Sequence, residues 1–395
     1  MLYPPSVVPI SISDIRKIGK LYLNNSCAEL SHMFTQKAKM KLGVQNIVTY
    51  QSGMLAMIML LKYLSTKSDA KEIIIPAYTC PTVLLSIKYA NLIPIFVDIN
   101  EKDFCISQKD AINKVSPSTL AIIIPHMFGH VVDIDELLEY RSKSKCKYFI
   151  IEDFCQSIIS SIGYSTSRRL FGDYGIFSFG RAKCISTVRG GAIVTYNKDN
   201  EAAITDLQKK SVQDKSIVKD FVLFAKLLIY TIALHPRLYK LTDTILSSSR
   251  KNDRFNLSSY SRLDYKSDNP LYKIQYSIGV VMVDKLKDMA KRRIANGIYY
   301  YREFSCKDIL TQPIKNHFYL KFPIVIIDRN LRQEFVAKIY RNRIKYSTGD
   351  YPVISTIVGY NASTVDPAFP IASKVASNII LLPTHPCILP SAIFK

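Results

Sequence analysis

What this chain has little of narrows its class before any motif is considered. Its eight cysteines (Cys27, Cys80, Cys105, Cys146, Cys155, Cys184, Cys306 and Cys387) are scattered and contain no C-x-x-C pair, so free thiols in a reducing compartment are expected. No secretory leader opens the chain; a cytoplasmic location is expected, with a peripheral position at the inner membrane face as the further option. Only two of the six histidines, His126 and His130, lie close together, and they follow an apolar strand instead of sharing a helix face, so no metal site is expected. No apolar run approaches the roughly 20 residues that span a bilayer. The net charge of +21 suits anionic ligands. Its basic tracts, such as Lys209-Lys210 and Lys291-Arg292-Arg293, are short and not interleaved with aromatics, so a nucleic-acid partner is not expected.

At 395 residues, 48% hydrophobic and 22% charged, the chain is long enough for one large domain and a smaller one. From residue 46 to 196, short apolar runs alternate with segments of helical period, the pattern of an α/β fold with a mostly parallel sheet. The strands expected are Asn46–Tyr50, Glu72–Pro76, Ile93–Val97, Leu120–Pro125, Tyr148–Ile151, Gly175–Phe179 and Gly191–Thr195. The organisation expected is a large domain over 1–210, an apolar helical insertion and polar loop over 211–268, and a small α+β domain over 269–395. Within the insertion, residues 216–246 form an apolar segment of helical character whose core, Phe221 to Leu234, is apolar nearly all round except at Lys226 and stops before Pro236. A helix buried in the fold or at a subunit interface is expected there, with a membrane-surface helix, flanked by Lys219, Arg237 and Lys240, as the alternative.

Ligands of such sheets bind beyond the carboxyl ends of the strands. That rule singles out Ser52-Gly53, Tyr78-Thr79-Cys80, His126, Asp153 and Ser178. The stretch Ile151-Glu-Asp-Phe-Cys-Gln-Ser157, followed by Gly172-Asp-Tyr-Gly-Ile-Phe-Ser-Phe-Gly-Arg-Ala-Lys183 and Gly190-Gly191, would bring an acid, a hydroxyl and a lysine to one edge. Pyridoxal phosphate (PLP) chemistry needs such a set. A lysine must join the cofactor aldehyde and give up its proton. A carboxylate must keep the pyridine nitrogen protonated, and backbone amides at a helix start must hold the phosphate. Ser52-Gly53-Met54, between a strand and the helical run Leu55–Leu64, could supply those amides.

Six stretches together resemble one family. They are Pro76-Ala-Tyr-Thr-Cys-Pro81, Pro94-Ile-Phe-Val-Asp98, His126-Met-Phe-Gly129, Glu152-Asp-Phe-Cys-Gln156, the Gly172 to Lys183 stretch with Gly190-Gly191, and Leu382-Pro-Thr-His-Pro386. The chain resembles the DegT/StrS-type nucleotide-sugar aminotransferases of PLP fold type I, in a form carrying Tyr-Thr-Cys-Pro. The resemblance implies that Lys183 binds the cofactor and moves the proton, and that Asp153 faces the ring nitrogen. It further implies that Gln156 meets the ring hydroxyl and that Ser178 with the Gly53 and Met54 backbone holds the phosphate, with Cys80 beside the ring. His126, Arg181 and Tyr78 are candidate substrate contacts. A homodimer, an amino-acid donor such as glutamate and a nucleotide-linked keto sugar are implied as well. Related enzymes that dehydrate sugars on this fold lack the lysine, which is present here.

The chain departs from the pattern in three places: Met54 stands where threonine is common, Cys80 stands where many relatives have a stacking aromatic, and the usual Asn-x-Arg-Met stretch before the long C-terminal helix is replaced near Asp268-Asn-Pro-Leu271. The alternative reading is a catalytically degenerate relative acting as a membrane-associated or regulatory protein.

Overall fold

The computed structural model describes residues 2–157, 172–183, 185–196, 200, 203, 206–207, 216–248, 270–315, 317–348, 351–357 and 363–390. Most of the polar loop expected over 247–268, and Cys184, lie outside them.

Two helices, α1 (Ile12–Asn24) and α2 (Cys27–Leu42), begin in capping boxes built by Ser11 with Asp14 and Ser26 with Glu29. In each, a hydroxyl satisfies a first-turn amide and the acid reaches back to the cap. The large sheet then forms from β1 (Asn46–Tyr50), α3 (Gly53–Leu64), β2 (Glu72–Pro76), α4 (Pro81–Tyr89), β3 (Ile93–Val97), α5 (Gln108–Lys114), β4 (Thr119–Pro125), α6 (Asp135–Lys143), β5 (Phe149–Asp153), β6 (Tyr174–Ser178) and β7 (Gly191–Thr195). Its seven strands run in the order β1-β7-β6-β5-β4-β2-β3. The β6-β5-β4-β2-β3 run is parallel, whereas β7 is antiparallel to both neighbours. β4, in the middle of the parallel run, is buried along its whole length, as a strand covered on both faces must be.

The expected strands all form. The largest boundary difference is at β5, which continues through Glu152 and Asp153. Glu152 is buried with partners: its Oε1 lies 3.0 Å from His126 Nε2 and its Oε2 accepts the Gly172 N–H at 2.8 Å.

After the sheet come α7 (Ile217–Ala233) and α8 (Tyr239–Ser248). The long α9 (Lys273–Phe304) follows, packing on α1, α2 and α7. A second sheet, of order β10-β11-β9-β8, is antiparallel throughout. It comprises β8 (Leu310–Thr311), β9 (Lys321–Val325), β10 (Ser347–Thr348) and β11 (Ile379–Pro383), with α10 (Arg329–Arg341) and α11 (Pro370–Asn378) between its strands.

The apolar segment is only partly covered within the chain itself. α7 turns Asp220, Leu223 and Leu227 inward but leaves Phe221 71% and Ile229 59% exposed. Asp220 is the anchor: one carboxylate oxygen accepts the Ile274 N–H in the first turn of α9 at 2.9 Å, and the other accepts the Tyr22 hydroxyl at 3.0 Å. A carboxylate at a helix N-terminus is favourable, and this one fixes which side of α7 faces inward. The segment breaks at His235-Pro236, where Thr242 of α8 donates to the Ala233 carbonyl at 2.6 Å. No described helix is long and apolar enough to cross a membrane.

His385 donates from Nε2 to the Pro4 carbonyl at 2.8 Å, tying the N-terminal segment to the end of β11. Burial, with Arg293 nearby, pushes its pKa down to about 3. His317 is likewise held well below the ordinary range by burial and by His130. Both are neutral in the folded chain, while the unfolded chain protonates near pH 6.5, so the unfolded state takes up protons first. Stability is therefore full above about pH 6.5 and falls by about 1.4 kcal/mol per pH unit per histidine below it. Asp103, raised by burial to about 6, works in the opposite sense below that pH, so the histidine effect is read by difference. In urea titrations at pH 7.5 and 5.5, His385→Asn should lose less stability on acidification than the parent; equal losses would contradict this.

Candidate active site

The edge formed by the carboxyl ends of β5 and β6 and the N-terminus of α3 encloses a cavity of about 300 Å3. Its position follows from one close packing. Gly191 pairs with Ser178 across β6-β7 and with Tyr50 across β1-β7, and α3 starts directly over it. A Cβ at Gly191 would lie 2.4 Å from the Gly53 nitrogen and Cα, and one at Gly53 would lie 3.0 Å from Ser178 Cβ. Backbone contacts this near are open only to glycine. Ser52 caps the helix by accepting the Leu55 N–H at 3.0 Å, which leaves the Gly53 and Met54 amides, first-turn donors without helical partners, beside Ser178.

Asp153, the last residue of β5, is 6% exposed and accepts the Cys155 N–H at 2.9 Å. Lys183 stands on a loop closed at its base, where Phe179 accepts the Thr187 N–H at 2.9 Å and donates to the Gly190 carbonyl at 2.8 Å. Lys183 and Asp153 line the same cavity as Ser178, Gly53, Met54, Cys80 and Gln156. Burial raises the Cys80 thiol, with Lys183 opposing, and raises Cys155 well above the usual thiol range, with Asp153 adding to the effect. These are protonated thiols, suited to packing and not to attack. Gln156 accepts the Phe128 N–H through Oε1 at 3.1 Å and so also braces the turn at Phe128, whose φ is 58°.

Three residues considered from the sequence as substrate contacts do not line this cavity. His126 is fully buried against Glu152, its Nδ1 accepts the Val132 N–H at 3.2 Å, and its ring packs on Phe154. Tyr78 is buried among Phe128 and Tyr351 and bridges to Val353. Arg181 places its guanidinium over the Tyr230 ring of α7, 4.8 Å from the centroid. Conversely, Cys155, Arg189 and Tyr351 line the cavity and were not singled out beforehand. Adjacency to Gly190-Gly191 was a usable signal for Arg189; Tyr351, some 170 residues beyond Ser178, had none.

A fold type I chain with this arrangement belongs to an identifiable group. The DegT/DnrJ/EryC1/StrS aminotransferase family matches residues 24–230 and 231–393, and this chain is a member of it. Among curated relatives, the GDP-perosamine synthase of Escherichia coli O157:H7 is 34% identical over 202 residues, covering 50% of this chain and 54% of the relative. That of Caulobacter vibrioides is 29% identical over 161 residues, 41% and 42% of the two chains. The chain thus matches about half the length, or somewhat less, of these relatives.

Solved structures share the fold over nearly the whole length. The Escherichia coli GDP-4-keto-6-deoxy-D-mannose-3-dehydratase with bound hydrated PLP superposes with a TM-score of 0.72 at 18% identity, covering 100% of this chain and 98% of that one. A sugar aminotransferase from Micromonospora echinospora gives 0.69 at 15% identity, with 99% and 96% covered.

Gly191→Ala should destabilise the chain by about 2 kcal/mol or more, because the clash is with backbone that cannot swing aside. Gly19→Ala, where a Cβ meets nothing within 4 Å, should be neutral or stabilising by up to about 1 kcal/mol in its helix. Chemical denaturation of the two variants compares them directly; similar effects would refute the packing argument.

Proposed function

We propose that this chain is a PLP-dependent aminotransferase that takes an amino group from glutamate and delivers it to a keto sugar carried on a nucleotide, for surface polysaccharide, lipopolysaccharide or related glycoconjugate synthesis. The observation that carries the reading is the meeting of Lys183, Asp153 and Ser178 in one cavity beside the open amides of α3. The residues present fit the cofactor: an amine for its aldehyde, a carboxylate for its ring nitrogen, and a hydroxyl with helix amides for its phosphate. When bound, PLP supplies an electron sink for the pair released at the amino-bearing carbon.

The protein's own groups do the rest. Asp153, held by the Cys155 amide, keeps the ring nitrogen protonated by charge. Lys183 would hold the cofactor through its aldehyde and, when its amine is free, would carry the proton between the amino-bearing carbon and the cofactor carbon that bore the aldehyde. Gln156 orients the ring hydroxyl, and Cys80 fills the wall beside the ring with a small, uncharged thiol. The names of the relatives support the acceptor class: GDP-perosamine synthase and a UDP-N-acetyl-3-dehydro-alpha-D-glucosamine 3-aminotransferase. A degenerate, non-catalytic relative is the weaker reading, because the cavity retains amine, acid and hydroxyl together.

The partners and location proposed are a cytoplasmic homodimer whose α7 rests peripherally on an anionic membrane face. The exposed apolar residues Val218, Phe221, Ile229 and Ile232 are flanked by exposed Lys219, Lys226, Arg237 and Lys240. Charge complementarity favours anionic lipid over a second copy of the same face, which would set like charges against each other.

Purified protein should show the visible absorbance of a lysine-bound cofactor, and Lys183→Ala should abolish it. Asp153→Asn should retain the fold but slow single-turnover amino transfer from glutamate by about 100-fold or more, the scale of a lost catalytic charge. A near-normal rate in that variant would refute the assignment. For α7, cosedimentation with vesicles containing phosphatidylglycerol, and not with pure phosphatidylcholine vesicles, is expected, and Phe221→Glu should reduce it; equal binding to both, or to neither, would remove the membrane contact.

A further inference from the structure

Arg189 is the cation in the cavity wall that the proposed chemistry leaves unused. Its backbone is fixed from several directions. The Thr187 hydroxyl donates to its carbonyl at 2.6 Å and the Gln275 side-chain amide does so at 2.5 Å. The preceding Val188 sits at φ 74°, a left-handed conformation that a β-branched residue adopts only under constraint from its surroundings. The following Gly190, at φ 136°, packs so tightly that a Cβ would lie 2.7 Å from Leu271. Strain of this kind, held in place by side chains from α9 and the loop itself, sets the direction in which the chain leaves the lysine loop before entering β7.

The side chain is directed as well. Arg189 donates from Nε to the Gln51 carbonyl at 3.2 Å, and Gln51 immediately precedes the Ser52 cap of α3. The guanidinium is thereby held beside the start of α3, and Arg189 belongs to the same short stretch that brings Gly191 against Gly53. Among the described residues no carboxylate pairs with it, and its terminal nitrogens have no acceptor.

We propose that Arg189 is the charged partner of the cofactor phosphate, completing within one chain the cradle begun by the α3 amides and Ser178. This rests on the PLP reading above. The charge balance supports it. A phosphate monoester carries about −1.5 to −2 charges at neutral pH, whereas a helix N-terminus offers the equivalent of about +0.5 and a serine hydroxyl none. Lys183 and Arg189 are the cations among the cavity-lining residues, and Lys183 is committed to the aldehyde. A planar guanidinium with free N–H donors suits a phosphate by both charge and geometry.

Pyridoxal, which carries the aldehyde but no phosphate, separates this role from the rest of the site. Apo-protein is titrated with PLP and with pyridoxal, following the visible absorbance formed at Lys183, and inorganic phosphate is added as a competitor of PLP. Arg189→Gln should weaken PLP binding by about tenfold or more and weaken phosphate competition in parallel. Pyridoxal binding should stay within about twofold of the parent. Arg189→Lys, which restores charge without the fork, should recover part of the loss. An unchanged PLP-to-pyridoxal affinity ratio in Arg189→Gln, or an equal loss for both ligands, would overturn the proposal while leaving the PLP reading in place. A raised KM for glutamate with intact PLP affinity would overturn it too, by assigning the guanidinium to the donor's carboxylate. If the parent protein forms no absorbance with either compound, the PLP reading falls and this proposal with it.

Discussion

The contact on which the rest of the structure depends is the van der Waals approach of the α3 N-terminus to the glycine at the start of β7. Gly53 and Gly191 touch through backbone alone, so the helix amides come down to the level of the β6 end, where Ser178 stands. A side chain at either position would lift the helix, and the anion-facing amides would separate from the groups on β5 and the lysine loop. The antiparallel insertion of β7 between β1 and β6 serves this contact, because it sets Gly191 opposite both Tyr50 and Ser178.

Around that contact the polar groups divide by strand alternation. Along β5, successive side chains point to opposite faces: Asp153 enters the cavity, while Glu152 turns back into the fold and binds His126 and the Gly172 amide. The buried His126–Glu152 pair therefore belongs to the support of the strand end. Removing one partner of such a buried pair leaves the other unsatisfied and is strongly destabilising, and this pair lies one residue from the proposed ring-nitrogen carboxylate. The two cavity thiols, Cys80 and Cys155, are kept protonated by burial and add polarisable walls without adding charge.

Much of the large sheet was legible because its strands are short apolar runs between polar turns. β1, β2, β3 and β7 begin and end where the hydrophobic pattern predicts. β5 runs two residues past the apolar run, through Glu152 and Asp153, because the partners of Glu152 are His126, just after β4, and the Gly172 amide. Asp153, Ser178 and Lys183 were legible as a group through their order along the chain. Arg189 was marked only by its adjacency to Gly190-Gly191; where its guanidinium goes depends on the left-handed turn at Val188 and on a contact with Gln51, some 138 residues earlier. The outward face of α7 was also hidden: a helix apolar all round gives no sign of which side the fold will cover, and a single aspartate, Asp220, decides it.

The stacking of Arg181 on Tyr230 ties the insertion to the loop that carries Lys183, two residues away. Asp220 fastens the same helix to the start of α9. Residues 216–246 are thus a brace and not a removable ornament. A trimmed chain lacking them would lose the platform under Arg181 and the cap on α9, so shortening the protein to a minimal core would alter the very loop a minimal core is meant to preserve.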